Sequence, residues 1–491
     1  MPKSPDNKSL SLPLKSSLEN LRKQAKSLLR TARAGDEAAR KKFLAFHPTE
    51  TQPSNLTLSD AQLVVARSYG FPSWPKLKQH VTIESYSALP GELRNAENSD
   101  KLVDRLISLA CLNYTNDHRK RREEARQLFS SNPQAGRENI YAAATVGDAQ
   151  RVRELLRDDT SLVRIKGGPY SWEPLLYATY SRLNSTNAGH STLEVARLLL
   201  ESGADPNVGF LWDRQYLFTA LTGAFGEGEA GPLHQPEHQY CYQLAQLLLE
   251  GGADPNDGQA LYNRMFTGGT AHLELLFAFG LGENNRAIWA KRLGELQGSP
   301  KEMLQQQMAW AAKYNQLARL QLLIQQGVDV NAADTRFHRT PYELAVLNGN
   351  QEIAELLFQH GAIKTRLDDV DAFSAACLNG DASQAKRLLE KDPTLLTRLG
   401  SGRAELLNLA AERNKQNAVR LMVELGFDVN ERKRTAPLHL AAAGGNLEMV
   451  KLLIELGADA SVRDEEFNAT PFGWAQYGER TEVVEFLKSI E

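Results

Sequence analysis

Leu198–Asn207 reads LLLESGADPN and Leu247–Asn256 reads LLLEGGADPN, one ten-residue phrase written twice with a single change, 49 positions apart. A catalytic motif is rarely duplicated within one chain, whereas a structural unit often is, so internal repetition is the first thing to seek. Related phrases recur as GVDVN at Gly327, GFDVN at Gly426 and GADAS at Gly457. Each follows an apolar helical stripe, and its glycine can take the left-handed conformation that stops a helix.

The clearest copy is TAPLHLAAAGGNLEMVKLLIELGADA, Thr435–Ala460. Pro437 suits the first turn of a helix, where its missing N–H costs no bond. Leu438, Ala441 and Ala442 follow at helical spacing, and the alanines let a neighbouring helix approach closely. Gly445 stops this helix and Asn446 can cap the next. The second helix carries Val450, Leu452, Leu453 and Leu456 on one stripe, and Gly457 ends it. Two helices of about ten residues cannot bury a core alone, but stacked copies can.

The distance between stops serves as a ruler: Gly445 to Gly457, Gly349 to Gly361 and Gly268 to Gly280 are each 12 positions. Further units are expected at Gly147, Asn315, Gly380, Asn414 and Gly478, giving about ten, with 315, 349, 380, 414, 445 and 478 stepping by 31 to 34. This period and wording resemble the ankyrin repeat, through APLHLAAAGG (Ala436–Gly445), TPYELAVLNG (Thr340–Gly349), TPFGWAQYG (Thr470–Gly478) and the G-A-D-x-N endings. The TPFGWA variant is similar in style to bacterial ankyrin proteins. Only His439 keeps the family's opening histidine, and the unit near Gly380 ends in EKDPTLLTR without the G-A-D turn. The resemblance implies a repeat solenoid dominated by α-helices: tandem helix pairs over 137–491, with β-hairpin or loop fingers between them.

The spacing of 49 then needs surplus residues. Pro437 to Leu452 is 15 positions, whereas Pro174 to Leu198 is 24 and Leu217 to Leu247, taken as the equivalent interval, is 30. Insertions are expected near 182–191, 225–239 and 281–302, the last with an extra helix over Asn285–Leu296. Insertions in repeat proteins map to loops on one face, often the binding face.

In front of the array, residues 1–14 read as disordered and 15–82 as a basic helical module. Leu18, Leu21, Ala25, Leu28, Leu29 and Ala32 form its first stripe. Ser59 with Gln62 is the expected capping box of AQLVVARSYG, Ser73 the expected cap of WPKLKQHV, and Trp74 a core residue. LRKQAK, RAGD and DAQLVVARSYGFPSWPKLK resemble the front of bacterial ankyrin-repeat proteins. Residues 83–99 read as a linker, and 100–136 as a helical hairpin capping the array.

At 491 residues the chain exceeds a single core, since cores stop growing near roughly 250–300 residues. No apolar run approaches the roughly 18–20 residues of a membrane span, and no secretory signal stands at the start. Cys111, Cys241 and Cys377 form a sparse, odd set that suits a reducing compartment, so a cytoplasmic protein is expected. Residues 1–45 hold eleven Lys/Arg against four Asp/Glu, while the whole chain carries −3. That basic head makes a nucleic-acid or acidic-surface adaptor the alternative function, with nucleic acid as the alternative partner.

Chemical motifs are sparse. His234, Glu237, His238 and Cys241 are the best metal candidates, but zinc needs three or four convergent ligands and no second cluster supports them. In HRKRREEAR, Arg119–Glu123 and Lys120–Glu124 are i, i+4 pairs that can neutralise themselves. The adjacent carboxylates Asp158-Asp159, Asp368-Asp369 and Glu465-Glu466 diverge too much for acid–base work. No phosphate loop, nucleophile elbow or kinase signature occurs, so neither enzyme activity nor a cofactor is expected. Aromatic and arginine side chains at finger tips, with Tyr170 and Trp172 just before the first helix of the second repeat unit, are the better candidates, because such residues dominate interface hot spots. They are Tyr170, Trp172, Phe210, Trp212, Arg214, Arg336, Phe337, Arg432 and Phe467. The expected function is a non-catalytic scaffold binding partner proteins through the concave face and fingertips of the solenoid, with no membrane partner; Phe337 and Phe467 have the competing reading of packing against a neighbouring finger.

Overall fold

The computed structural model describes residues 12–13, 17–49, 52–184, 189–283, 288–293 and 298–490. The stretch expected to be disordered, 1–14, lies outside these apart from Leu12 and Pro13. The chain divides into two compact units, Met1–Met303 and Leu304–Glu491.

The first unit opens with α1 (Leu18–Arg33), α2 (Glu37–Phe46), α3 (Leu58–Ser68) and α4 (Trp74–Tyr86). Leu21, Ala25, Phe43, Val64, Leu77 and Val81 form their shared core, and Trp74 packs half-buried against it. The capping box of α3 is Thr57 with Asp60, two residues earlier than Ser59 with Gln62, because the helix begins at Leu58. Ser73 stands at the N-cap of α4 without a side-chain bond to the helix. Residues 83–99, expected to be a linker, hold the end of α4, the strand β1 (Ser87–Ala88) and α5 (Pro90–Asn95). Next come α6 (Leu102–Ala110) and α7 (Arg119–Ser131), which pack together through Leu106, Ala110, Ala125 and Phe129. Arg119 pairs with Glu123 at 2.8 Å, but Glu124 turns to Arg105 of α6, so the expected Lys120–Glu124 pair is absent.

Helix pairs follow: α8 (Ile140–Val146) with α9 (Ala149–Asp158), α10 (Pro174–Tyr180) with α11 (Thr192–Glu201). A hairpin, β2 (Gly209–Trp212) and β3 (Tyr216–Thr219), leads into α12 (Ala220–Phe225). Leu217 therefore lies in a strand, and the helix-to-helix interval here starts at Ala220. The short α13 (Gly231–His234) sits inside the expected 225–239 insertion, before α14 (Cys241–Glu250). The unit closes with α15 (Gly258–Arg264), α16 (Ala271–Ala278) and α17 (Ile288–Leu293), the last within the span expected to carry an extra helix. In the sheet, β1 runs parallel to β2 and β2 antiparallel to β3. Asp213 and Arg214, both at positive φ (49° and 61°), make the tight hairpin turn.

The second unit is read from Leu304 within α18 (Pro300–Lys313), followed by α19 (Leu317–Gln325), α20 (Pro341–Leu347), α21 (Gln351–Gln359), α22 (Asp369–Asn379) and α23 (Ala382–Lys391). Then come α24 (Leu395–Leu399), α25 (Gly402–Glu412), α26 (Gln416–Glu424), α27 (Pro437–Gly444), α28 (Leu447–Glu455), α29 (Pro471–Tyr477) and α30 (Thr481–Ile490). Every pair turns on one left-handed residue: Asn315, Gly349, Gly380, Asn414, Gly445 and Glu479. In the last pair it is Glu479, one position beyond the expected Gly478. Proline starts α20, α27 and α29, and Thr340 forms a capping box with Glu343. Phe373, Leu407, Val419, Leu438, Met449, Leu453 and Val483 belong to one continuous core, so from α22 onward each pair shelters its apolar face on the next. This is an all-α repeat architecture.

The asparagine that closes each phrase has a bond to explain it. Asn207 Nδ2 donates to Gly252 O at 2.8 Å and its Oδ1 accepts the Asp254 N–H at 2.8 Å. Asn331 makes the same pair of bonds to Gly361 and Ile363, and Asn430 to Gly457 and Asp459. One phrase therefore reaches for the next.

Candidate functional site

Four of the expected contact residues meet in the first unit. Tyr170, Trp172 and Phe210 are only 6%, 2% and 3% exposed. Trp172 stacks on Phe210 with ring centres 4.6 Å apart, Tyr170 lies 4.6 Å from Trp172, and Phe210 stacks on Phe218 at 5.5 Å. Tyr170 Oη also donates to Ser108 O at 3.0 Å. Their expected role as partner contacts needs correction: they are core. The cause is that both faces of the hairpin are covered. Leu211 and Leu217, on the face opposite Phe210 and Phe218, pack against Trp289 and Leu293 of α17, with Ile83 and Tyr86 of α4 alongside.

Trp212 is half-buried beside Tyr216, and Arg214 reaches the surface. Arg214 is engaged within its own unit, with Nε 2.7 Å from Glu84 Oε1 on α4. No sequence signal could have joined two residues 130 positions apart. Tyr170, Trp172, Phe210 and Arg214 line a groove of about 690 Å³, closed on its other side by α4 and β1. Lys166 in this groove lies 5.2 Å from the Tyr86 ring centre, and burial lowers its proton affinity. Burial raises the carboxyl of Glu173 against the opposing pull of Lys166.

The other expected contacts lie on two similar fingers of the second unit and on a third between them. Asp334 accepts the N–H groups of Arg336 and Phe337, each at 2.8 Å. Asp464 accepts those of Glu466, Phe467 and Ala469, and the Trp474 Nε1–H at 3.0 Å. Burial would raise the Asp464 carboxyl, but the Phe467, Trp474, Ala469 and Glu466 donors outweigh it and hold it at about 2. These bonds fix two tips of like design with different exposure. Phe337 is half-buried, with Lys313 Nζ 4.5 Å from its ring centre, and Arg336 is exposed. Phe467 is 67% exposed, touching Trp474 edge-on at 6.2 Å. The exposed Arg432 donates to Arg463 O at 2.6 Å, tying its finger to the next.

The metal candidates part company. Glu237 pairs with Arg264 at 2.9 Å, His238 Nε2 meets Thr192 Oγ1 at 3.0 Å, and His234 lies against His118 with ring centres 4.6 Å apart. Burial pushes the Cys241 thiol up to about 12. Among the described residues no group of three or more His, Cys, Asp or Glu converges. The sequence reading also missed Arg182, fully buried in the loop after α10. It donates to the carbonyls of Pro236, Gly223, Thr179 and Ser181 at 2.7–3.0 Å, bracing the 225–239 insertion. Its only sequence signal was a lone arginine among apolar and small residues.

Among the described residues no helix is long and apolar enough to cross a membrane. Comparison with protein families matches the family described as Ankyrin repeats (3 copies) over residues 297–369 and 373–464. A search of curated proteins finds no match. The paired helices turning on one left-handed residue, the bonded closing asparagines and this match together identify ankyrin repeats within residues 297–464.

Proposed function

We propose that the chain is a non-catalytic scaffold, of the bacterial type its wording resembles, that binds partner proteins from the finger tips of its repeats. Ankyrin repeats are in general protein–protein interaction modules, which supports the class of function. The finer reading rests on Phe467: a large apolar ring, 67% exposed, on a tip whose backbone is held by Asp464. A rigid tip loses little conformational freedom on binding, so an exposed ring there is a low-cost anchor. Arg336, Phe337 and Arg432 extend the same surface on neighbouring fingers, whereas Tyr170, Trp172 and Phe210 serve the core. A reducing cytoplasm suits the three buried free thiols, Cys111, Cys241 and Cys377.

The test is affinity capture from an extract of the source cells, comparing the full chain with its Phe337→Ser, Arg432→Ser, Phe467→Ser variant by quantitative mass spectrometry. Specific proteins retained by the parent and lost from the variant, at equal melting temperature, are the expected result. Identical captured sets would refute the finger assignment.

A further inference from the structure

The helix pairs of the second unit bring three turns to one edge: Lys313–Asn315, Asn348–Asn350 and Arg413–Lys415. Asn350 Nδ2 donates to Ala312 O and Lys313 O at 2.7 and 2.9 Å. Arg413 spans the edge, donating to Lys313 O at 2.7 Å and Asn348 O at 3.3 Å, and Lys415 Nζ donates to Asn348 O at 3.2 Å. A pocket of about 400 Å³ lies among them, lined by Tyr314, Asn315, Asn350, Glu412, Arg413 and Lys415. Lys313 Nζ and the Arg413 guanidinium sit 5.2 and 5.3 Å from the centre of the same Tyr314 ring. Lys313 also contacts Phe337, over which Arg336 stands at 5.7 Å.

Burial combined with charge sets this edge apart within the unit. Arg387, Arg463 and Arg480 lack a carboxylate within 4.0 Å among the described residues but are exposed, whereas the half-buried Arg339 and Arg403 each have one. Among the described residues none lies within 4.0 Å of Lys313, Arg413 or Lys415, all half-buried. The helix-end carbonyls they touch carry partial negative charge and offset part of the repulsion. They use only some of the donors: Lys415 spends one of its three on a carbonyl, and Lys313 Nζ makes contacts with rings alone. Burial, and then Arg413, lower the proton affinity of both lysines, as expected for like charges crowded out of water. Such a pocket concentrates a positive field that an anion relieves.

We propose that this turn-edge pocket receives the carboxylate side chains of an acidic segment of a partner protein. Arg413 and Lys415 line the pocket and supply charge, Lys313 adds its charge from beside the Tyr314 ring, and Tyr314 supplies an apolar wall for the side-chain stems. The pocket holds a few side chains rather than a nucleotide track. Cations already lie against Tyr314 and Phe337, the rings at this edge on which a base could stack. Glu412 on the rim also opposes a doubly charged phosphate. This inference rests on the protein-recognition reading and adds the chemistry of the partner.

The test is fluorescence anisotropy of fluorescein-labelled hexaglutamate with the full chain, at low and at physiological ionic strength. Saturable binding that weakens with salt is expected, reduced about tenfold by Lys313→Gln with Lys415→Gln at unchanged melting temperature. Because Arg413 braces the turns, Arg413→Lys serves as the second variant, keeping the charge while losing the fork, with binding held within about threefold. Arg22→Gln, Lys26→Gln and Arg30→Gln on the basic α1 should leave affinity within about twofold. The inference is overturned by absent saturation at low salt, by hexaglutamine binding equally, by loss confined to the α1 variant, or by inorganic phosphate or hexathymidylate displacing the peptide at lower concentration than unlabelled hexaglutamate. Finger variants that abolish protein capture while hexaglutamate fails to bind would leave the proposed function standing and sink this inference alone.

Discussion

Asn207 and Gly252 are joined side chain to backbone at 2.8 Å, and Asn207 also takes the Asp254 N–H. The last letter of the first phrase thus clamps the stop signal of the second. Because Asn207 is buried, Asn207→Ala leaves two backbone groups unpaired and should cost about 2 kcal/mol. The equivalent bonds of Asn430 are exposed to water, so Asn430→Ala should cost under about 1 kcal/mol. Urea denaturation of the two variants, side by side, checks the difference.

Trp172 and Arg214 line the same groove yet their removal should differ greatly in cost. Trp172→Ala removes a ring packed on Phe210, Tyr170 and Tyr180, and a loss of about 3–5 kcal/mol is expected, with a collapsed near-ultraviolet dichroism signal. Arg214→Ala breaks only a solvent-exposed pair with Glu84 and should cost under about 1 kcal/mol. Thermal melts would reverse the assignment of Trp172 to the core if the two variants proved alike.

Arg182 is a cation held by carbonyls alone. Arg182→Met fills much of the space but strips donors from Pro236, Gly223, Thr179 and Ser181. A loss of about 3 kcal/mol is expected, and hydrogen exchange should quicken first over residues 223–238.

Asp464 makes stability depend on pH. Its folded carboxyl is held at about 2 against an ordinary value of 3.8, so the stabilisation is complete above about pH 5 and is lost as pH falls towards 2. The shift corresponds to about 2 kcal/mol. Asp464→Asn should therefore melt earlier than the parent at pH 7, and the gap should close near pH 2.

Burial pushes the thiols of Cys111, Cys241 and Cys377 up to about 12. The native chain at pH 8 should react with a disulfide reagent far more slowly than a free thiol, releasing three equivalents once unfolded. Fast reaction of any one in the native state would contradict its burial.

Local signals carried the repeat. Gly445, Gly349 and the prolines at 341, 437 and 471 act through their own backbone freedom, so their effect on helix ends is legible residue by residue. The same logic failed at Glu479, where a non-glycine takes the left-handed turn one step after Gly478. It failed again at Thr57, because capping geometry depends on where the first helical bond forms.

The candidate surface was only partly legible. Phe337 and Phe467 sit in similar text, RFHRTP and EFNATP, yet one is shielded by Lys313 and the other stands in water. The cationic turn edge was invisible, since Lys313 and Arg413 are 100 positions apart.

The sequence by itself determined the repeating helix pair, its period and the places where helices stop, because these follow from interactions a few residues long. Only the tertiary structure decided which aromatic rings are core, which cations keep a carboxylate and which stand together without one. Those outcomes depend on what distant segments bring into contact, and burial and charge balance belong to the assembled fold rather than to any single stretch of chain.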